Sequence, residues 1–163
     1  MSLVNNGVYT LKDEFFKIHY DEFLSKNKGS GRPFYYVYKD KKLKDIYWLI
    51  PMSSKVEKAI NKINTQYGGN EDKCPFYVIN TQQRNSVFLI GNAFPIIEKY
   101  IEGEFIETLT NKPLVIKDSK LIQKIERKTA KYINYSMRVS KENTVNLKKL
   151  LNELIAELKM NEK

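Results

Sequence analysis

The sequence predicts an α+β protein, and three observations carry that prediction. Aromatic and β-branched runs separated by polar turns fill the first two-thirds of the chain and read as paired strands. Two segments with apolar residues at helical spacing fill the last third. The length, 163 residues, suits one domain with a real core, so a single domain over 1–163 is expected.

In chain order, residues 1–13 begin loosely, with a turn at Asn5, Asn6 and Gly7. Residues 14–18 (EFFKI) predict a short strand and 19–24 a brief helical turn. The segment 27–31 (NKGSG) is a flexible loop that delivers Arg32 to the next strand. Runs 34–38 and 46–50 flank a lysine-rich connection and predict a strand pair. After Pro51 and Met52 the period changes. Val56, Ala59, Ile60 and Ile63 sit at i, i+3, i+4 and i+7, predicting a helix over 54–67 that Gly68 and Gly69 end.

Runs 76–80 and 86–90 predict two further strands around a polar turn, 81–85. Runs 96–101 and 104–108 predict another hairpin, whose acids Glu98, Glu102, Glu104 and Glu107 read as a solvated face. Over 118–136, Leu121, Ile122, Ile125, Tyr132 and Ile133 share one helical face. A final helix over 144–159 carries Leu147, Leu150, Leu151, Leu154 and Leu158 and is expected to pack onto the sheet.

Composition narrows the function. With 42% hydrophobic and 29% charged residues the chain is globular rather than disordered. No apolar run approaches the ~18 residues that span a bilayer, and no signal-type segment follows Met1, so a cytoplasmic protein without membrane contact is expected. One cysteine (Cys74) and one histidine (His19) allow no intrachain disulfide, no zinc site and no histidine acid–base pair. No glycine-rich phosphate loop, nucleophile elbow or carboxylate cluster for magnesium is present, and no cofactor is expected.

The net charge of +9 points to an anionic partner. Eleven tyrosines and eight phenylalanines beside it tilt that partner toward single-stranded nucleic acid, whose bases stack on aromatic rings. The charge is uneven: residues 112–149 hold eleven basic residues against three acids, a local net of +8. Lys120, Lys124, Arg127 and Lys131 fall at i, i+4, i+7 and i+11, one stripe opposite the apolar face. An ordinary solvated helix face is the plain reading of such a stripe, and an RNA-facing surface the functional one.

The sharpest local feature is Ser53, Ser54 and Lys55, two hydroxyls and a lysine at a helix start, where backbone N–H groups and the helix dipole favour a phosphate. Ser54 and Glu57 also satisfy a capping box, which accounts for Ser54 without any ligand. Capping leaves Ser53 and the first-turn lysine unexplained, since the dipole disfavours a cation there. Metal-free RNA cleavage suits this inventory, because the RNA's own 2′-hydroxyl is the nucleophile and the protein supplies orientation and charge stabilisation.

Residues 32–37 (RPFYYV), 47–55 (YWLIPMSSK) and 94–98 (FPIIE), with the order of elements over roughly 14–155, resemble the ToxN/AbiQ toxins of type III toxin–antitoxin systems, closest to the CptN branch. The resemblance implies a compact, twisted antiparallel sheet of the Kid/MazF type surrounded by helices. It implies an endoribonuclease that cuts single-stranded RNA without metal, leaves a 2′,3′-cyclic phosphate, and is inhibited by a repeated small RNA pseudoknot. It further implies closed toxin–RNA hetero-oligomers, target mRNA as substrate, and phage defence by abortive infection. By position, Ser53 and Ser54 match the family's hydroxyl pair, Arg32 its basic residue before the second strand, and Tyr20 a tyrosine of the first short helix. Lys55 stands where other members carry proline, so the role of the active-site lysine falls to Lys55 or Lys58. Arg127 and Tyr132 are placed in the groove by a loose match of the C-terminal helix.

The resulting expectation is an endoribonuclease toxin in which Ser53 and Ser54 hold the scissile phosphate and Arg32 and Lys55 stabilise its charge. His19 or Tyr20 assists proton transfer. The RNA groove continues over Tyr35, Lys39, Lys41, Lys58 and the stripe Lys120, Lys124, Arg127 and Lys131, with Tyr132. The competing expectations are a non-catalytic RNA-binding module using the same surface, and a protein adaptor whose lysines only solubilise it.

Overall fold

A computed structural model describes residues 2–25, 31–80, 84–139 and 145–162. The chain turns at Asn5 and Asn6, with Asn6 at φ 64°, and enters strand β1 (Val8–Leu11). Helices α1 (Asp13–Ile18) and α2 (Glu22–Ser25) follow. The strand expected over 14–18 is thus a helix. Phe15, Phe16 and His19 are all buried, at a spacing that one helix face satisfies and an alternating strand does not. Asp21 Oδ1 starts α2 by accepting from the Phe23 and Leu24 amides at 2.9 and 3.2 Å. Of the loop expected over 27–31, residues 27–30 lie outside the described residues.

Strands β2 (Phe34–Lys39) and β3 (Tyr47–Ser53) form the expected antiparallel pair, with Phe34 opposite Pro51 and Tyr35 opposite Ile50. Helix α3 (Val56–Gln66) then runs to Gly68 and Gly69, whose φ values of 58° and 78° need glycine, and the Gly69 amide closes the end on the Ile63 carbonyl at 2.9 Å. Strands β4 (Tyr77–Asn80) and β5 (Asn85–Phe88) pair antiparallel, as expected; residues 81–83 of their turn lie outside the described residues.

The hairpin expected over 96–108 does not form. Strand β6 (Phe94–Ile96) pairs with β3, β7 (Ile101–Glu104) with β1, and β8 (Ile106–Glu107) with β9 (Lys112–Pro113). Residues 94–97 are buried without alternation, the mark of a strand covered on both faces rather than of a solvated hairpin. Helices α4 (Ser119–Arg138) and α5 (Leu147–Asn161) complete the helical C-terminal part. Asp118 and Asn146 start them through side-chain bonds to backbone amides.

The fold is therefore α+β, with a seven-stranded antiparallel sheet in the order β4-β5-β3-β2-β1-β7 and β6 alongside β3. Strand β3 is its centre. It holds β2 along one edge, and β6 then β5 in succession along the other, Leu49 opposite Phe94 and Met52 opposite Phe88. Phe94 stacks on Phe15 and meets Phe34 edge-on, so α1 is packed directly onto the sheet. Helix α4 lies across β2 and α5 against β6, with Ile125, Ile133, Leu150 and Leu154 buried.

Helix α5 is fixed by an ionic cluster. His19 Nδ1 lies 2.7 Å from Glu153 and its Nε2 3.0 Å from Glu157. Glu157 also takes Lys99 Nζ at 2.6 Å and the Tyr100 hydroxyl. Burial pushes the Glu157 carboxyl up, but hydrogen bonds from Lys99, Tyr100 and His19 outweigh it and hold the group below the ordinary glutamate range. A depressed carboxylate stabilises the fold fully above its unfolded pKa, about 4.3, and that stability is lost as pH falls through the folded value. Glu157→Gln should therefore lower stability at neutral pH and flatten its decline below about pH 5, as read by urea unfolding at several pH values. An equally steep acid decline in the variant would contradict the assignment.

Candidate nucleic-acid interface

The end of β3 gathers the candidate residues from both neighbouring strands. The Met52 amide donates to the Pro33 carbonyl at 3.0 Å, which carries the β2–β3 ladder one step past its last strand pair. The same register sets Arg32 across from Ser53. On the other edge Ser53 faces Val87 of β5, and continuing that register sets Ser54 across from Ser86. The serines thus emerge between Arg32 on one side and Ser86 with Arg84 on the other.

The local geometry differs from a capping box. Lys55, not Ser54, is the N-cap of α3, and no side-chain cap bond is made there. Ser53 Oγ instead accepts from the Lys55 amide at 3.2 Å, and the Ser54 carbonyl accepts from the Val56 amide at 2.9 Å. The sharp ST-turn at Ser53 wins because β3 holds that residue in extended conformation until the helix begins. Ser53 accepts through a lone pair, so its own O–H remains able to donate.

Arg32 is half-buried, and its Nε is buried with no hydrogen-bond partner among the described residues. Burial alone lowers its pKa from the usual arginine value. A desolvated guanidinium with an orphan donor is costly unless an anion meets it. That is the strongest physical demand for a ligand at this end of the sheet.

Ser53 and Ser54 line a cleft of about 270 Å³ with Pro33, Met52, Arg84, Ser86, Phe105, Glu107, Thr108, Leu109 and Leu114. Arg84 Nη2 donates to Glu107 Oε1 at 2.9 Å across it. Arg84 also lines a second cleft of about 350 Å³, beside Lys117, Asp118 and Leu121 at the start of α4. One arginine therefore borders both the serine end of β3 and the N-terminal end of the basic helix.

The stripe is where the sequence places it. Lys120, Lys124, Arg127 and Lys131 are all exposed, while Ile125, Thr129 and Ile133 face the core. Lys55 and Lys58 are exposed at the start of α3, and Tyr20 is 68% exposed. Lys128, between the stripe residues, is instead half-buried and donates to the Glu71 and Phe76 carbonyls.

Several expected members fall elsewhere. Tyr35 is fully buried, donates to Asn6 Oδ1 at 3.0 Å and meets Phe88 edge-on, so no base can stack on it. Burial raises its pKa, as it raises that of Tyr38, pushed up to about 12. His19 is 6% exposed with both ring nitrogens on glutamates, which makes it a tie for α5 rather than a free proton carrier. Tyr132 packs against the core. Lys39 and Lys41 are exposed, but at the far end of the β2–β3 ladder, about 20 Å from Arg32 at ~3.3 Å per residue. Lys39 lies over the Tyr47 ring at 5.6 Å, and Lys41 lines a separate cleft of about 290 Å³ under α4.

Arg84, Ser86, Glu107 and Thr108 do not stand out in the sequence as site residues. Glu107 is visible there only as one acid among four, and Arg84 only as part of a polar turn. Strand pairing between distant segments brings them together, and no local pattern encodes that. Among the described residues no group of three or more His, Cys, Asp or Glu side chains is placed to hold a metal ion. No helix among them is long and apolar enough to cross a membrane. No family model matches the chain, and no curated protein matches it.

An exposed stripe predicts a measurable polyelectrolyte effect. Changing Lys120, Lys124, Arg127 and Lys131 together to glutamine should weaken binding of single-stranded RNA. It should also flatten log K against log salt by about 0.7 for each phosphate that is no longer neutralised. Fluorescence anisotropy between roughly 50 and 200 mM salt reads this directly. An unchanged slope would leave the stripe a solvated face.

Proposed function

We propose that the protein is a metal-independent endoribonuclease toxin of a type III toxin–antitoxin system, with a Kid/MazF-like sheet. The observation that supports this most is Arg32, whose Nε is buried without a partner among the described residues and whose backbone falls opposite Ser53 when the β2–β3 register is continued past Pro33. The Ser53 hydroxyl, the adjacent Ser54 and the start of α3 offer donors to a phosphate, and Arg32 and Lys55 offer charge. In the proposed reaction the 2′-hydroxyl attacks the neighbouring phosphorus and gives up its proton, and the P–O5′ bond breaks. The products are a 2′,3′-cyclic phosphate and a 5′-hydroxyl end. Tyr20, exposed on the segment between α1 and α2, is the remaining candidate for proton transfer once His19 is committed to Glu153 and Glu157. In the cell the reading places a repeated RNA pseudoknot in the same groove as inhibitor, in a closed toxin–RNA assembly, with cytoplasmic mRNA as target and abortive infection as the outcome.

The second reading is a non-catalytic RNA-binding module. It is favoured by one observation: the chain's only histidine is engaged in a buried ionic cluster, so no free imidazole serves as base.

Incubation with single-stranded RNA in EDTA separates the two. The nuclease reading expects cyclic-phosphate and 5′-hydroxyl ends, reduced by about 10² or more in Arg32→Ala and in Ser53→Ala, with circular dichroism unchanged. RNA that is bound but intact supports the module, and full activity in both variants removes the proposed site.

A further inference from the structure

We infer that the cleft between α4 and the β2–β3 turn is a second RNA site, which takes one unstacked guanine base from a strand lying along the α4 stripe, with Glu126 as that base's acceptor. The inference rests on RNA being the ligand, as proposed above, but not on Arg32 or the serines. The cleft lies at the other end of β2, about 20 Å from Arg32 at ~3.3 Å per residue.

The cleft holds about 290 Å³. That is the small end of the range for ligand sites and suits one base rather than a length of chain. Trp48 and Ile133, both buried, give it apolar walls, and Ala130 of α4 lines it too, where a longer apolar residue would fill the space. Asp40 is committed to the wall. Its Oδ2 accepts from Trp48 Nε1, and its Oδ1 from the Lys42 and Leu43 amides, all at 2.9 Å. Burial pushes this carboxyl up, but those bonds outweigh it and hold it below the ordinary aspartate range. The turn that Asp40 makes leaves Lys41 and Lys42 exposed on the cleft's lining.

Glu126 has no such commitment. It is the only acid in the twenty residues of α4. Its helix neighbours three and four positions away are Ile122, Gln123, Thr129 and Ala130, so no ion pair runs along the helix. Glu126 is half-buried on the cleft, and its carboxylate makes no hydrogen bond or ion pair among the described residues. The Tyr38 hydroxyl, on the same cleft, also has no partner among them. Burial, then the charges of Asp40 and Glu126, push that phenol up to about 12, so the Glu126 charge reaches this side of the sheet. A half-buried carboxylate without a donor is costly for folding and is satisfied by a ligand that brings N–H groups.

The mixture of charges decides the class of ligand. A simple cation would meet Lys41 and Lys42, and a simple anion would meet Glu126. A nucleotide answers both, with N–H donors on the base and a phosphate for the lysines. At 3.6 residues per turn, the row Glu126, Ala130 and Asn134 lies between the buried row Ile125, Thr129 and Ile133 and the stripe Lys124, Arg127 and Lys131. A strand on the stripe therefore passes the cleft. Guanine alone presents two adjacent donors, N1–H and N2–H, to one carboxylate. Uracil offers a single N–H between two carbonyls, and adenine and cytosine set a ring acceptor beside the amino group.

Trp48 is the chain's only tryptophan, so its indole N–H gives one nitrogen-15 signal that reports this cleft. The whole protein is titrated with non-cleavable 2′-O-methyl pentamers carrying a central G, U, A or C in a cytidine background. The Trp48 signal should shift saturably with the G pentamer, at about tenfold lower concentration than with the other three. Glu126→Gln should remove that advantage. Ala130→Leu, which fills the cleft, should silence Trp48 while the stripe amides still respond, with thermal unfolding checking both folds. Inosine in place of the central guanosine lacks the N2 amino group and should cost several-fold with the unaltered protein, so the result does not depend on a variant. A Trp48 signal unmoved while the stripe amides saturate, equal responses to all four pentamers, or a guanine advantage that survives Glu126→Gln would overturn the inference. Cleavage of ordinary RNA in EDTA is scored separately. A guanine-selective Trp48 response without cleavage keeps the cleft and removes the nuclease, and cleavage with Trp48 unmoved does the reverse.

Discussion

The pairing of β3 along both edges is the constraint on which the rest depends. A strand bonded on one side could carry Ser53 and Ser54 to the start of a helix, but it could not bring anything to meet them. Because β2 runs back along one edge, Arg32 arrives opposite Ser53. Because β5 runs along the other, Ser86 and Arg84 arrive beside Ser54. The sheet ladder sets this register, and because Trp48 to Met52 are all buried, a one-residue slip would break the packing on both faces of β3. The geometry of the candidate site is thus held by the same burial that holds the fold.

Around that centre the helices divide two tasks. Helix α1, through Phe15 and Phe16, and helix α5, through Leu150 and Leu154, close the core. The cluster of His19, Tyr100, Lys99, Glu153 and Glu157 fixes where α5 sits. Helix α4 packs through Ile125, Thr129 and Ile133 and turns Lys120, Lys124, Arg127 and Lys131 outward. Its two faces are so unlike in chemistry that packing dictates which one meets solvent. A basic helix and a desolvated arginine on one molecule are both costs to folding without an anionic partner, one through like-charge repulsion and the other through desolvation.

What the sequence made legible follows from the range of the interactions involved. The pairs β2–β3 and β4–β5 were readable because each is two adjacent apolar runs around a turn, and α3, α4 and α5 because their apolar periods are long. The α4 stripe followed from spacing alone. Short segments misled: residues 14–18 hold two aromatics, and only the tertiary burial of Phe15, Phe16 and His19 selects the helix. Phe94–Ile96 join β3 and Ile101–Glu104 join β1, both from far along the chain, so the hairpin reading of 96–101 with 104–108 failed. Tyr35 looked like a stacking residue because a tyrosine in a strand carries no sign of which face it occupies. For the site, Ser53, Ser54 and Arg32 were found through local chemistry and a family resemblance. Arg84 and Glu107 were not, since their meeting depends on two strand pairings distant in sequence.

We propose that Arg32 and the Ser53–Lys55 turn form one anion site. Nitrogen-15 NMR during titration with a 2′-O-methyl RNA observes it most directly, because the Arg32 Nε–H, just before β2, and the Lys55 amide, just after β3, are separate reporters. With one anion site, both shift together and saturably, and Arg32 Nε acquires a scalar coupling to a phosphorus-31 nucleus. Shifts confined to the α4 stripe, with Arg32 and Lys55 unmoved at saturation, would contradict it.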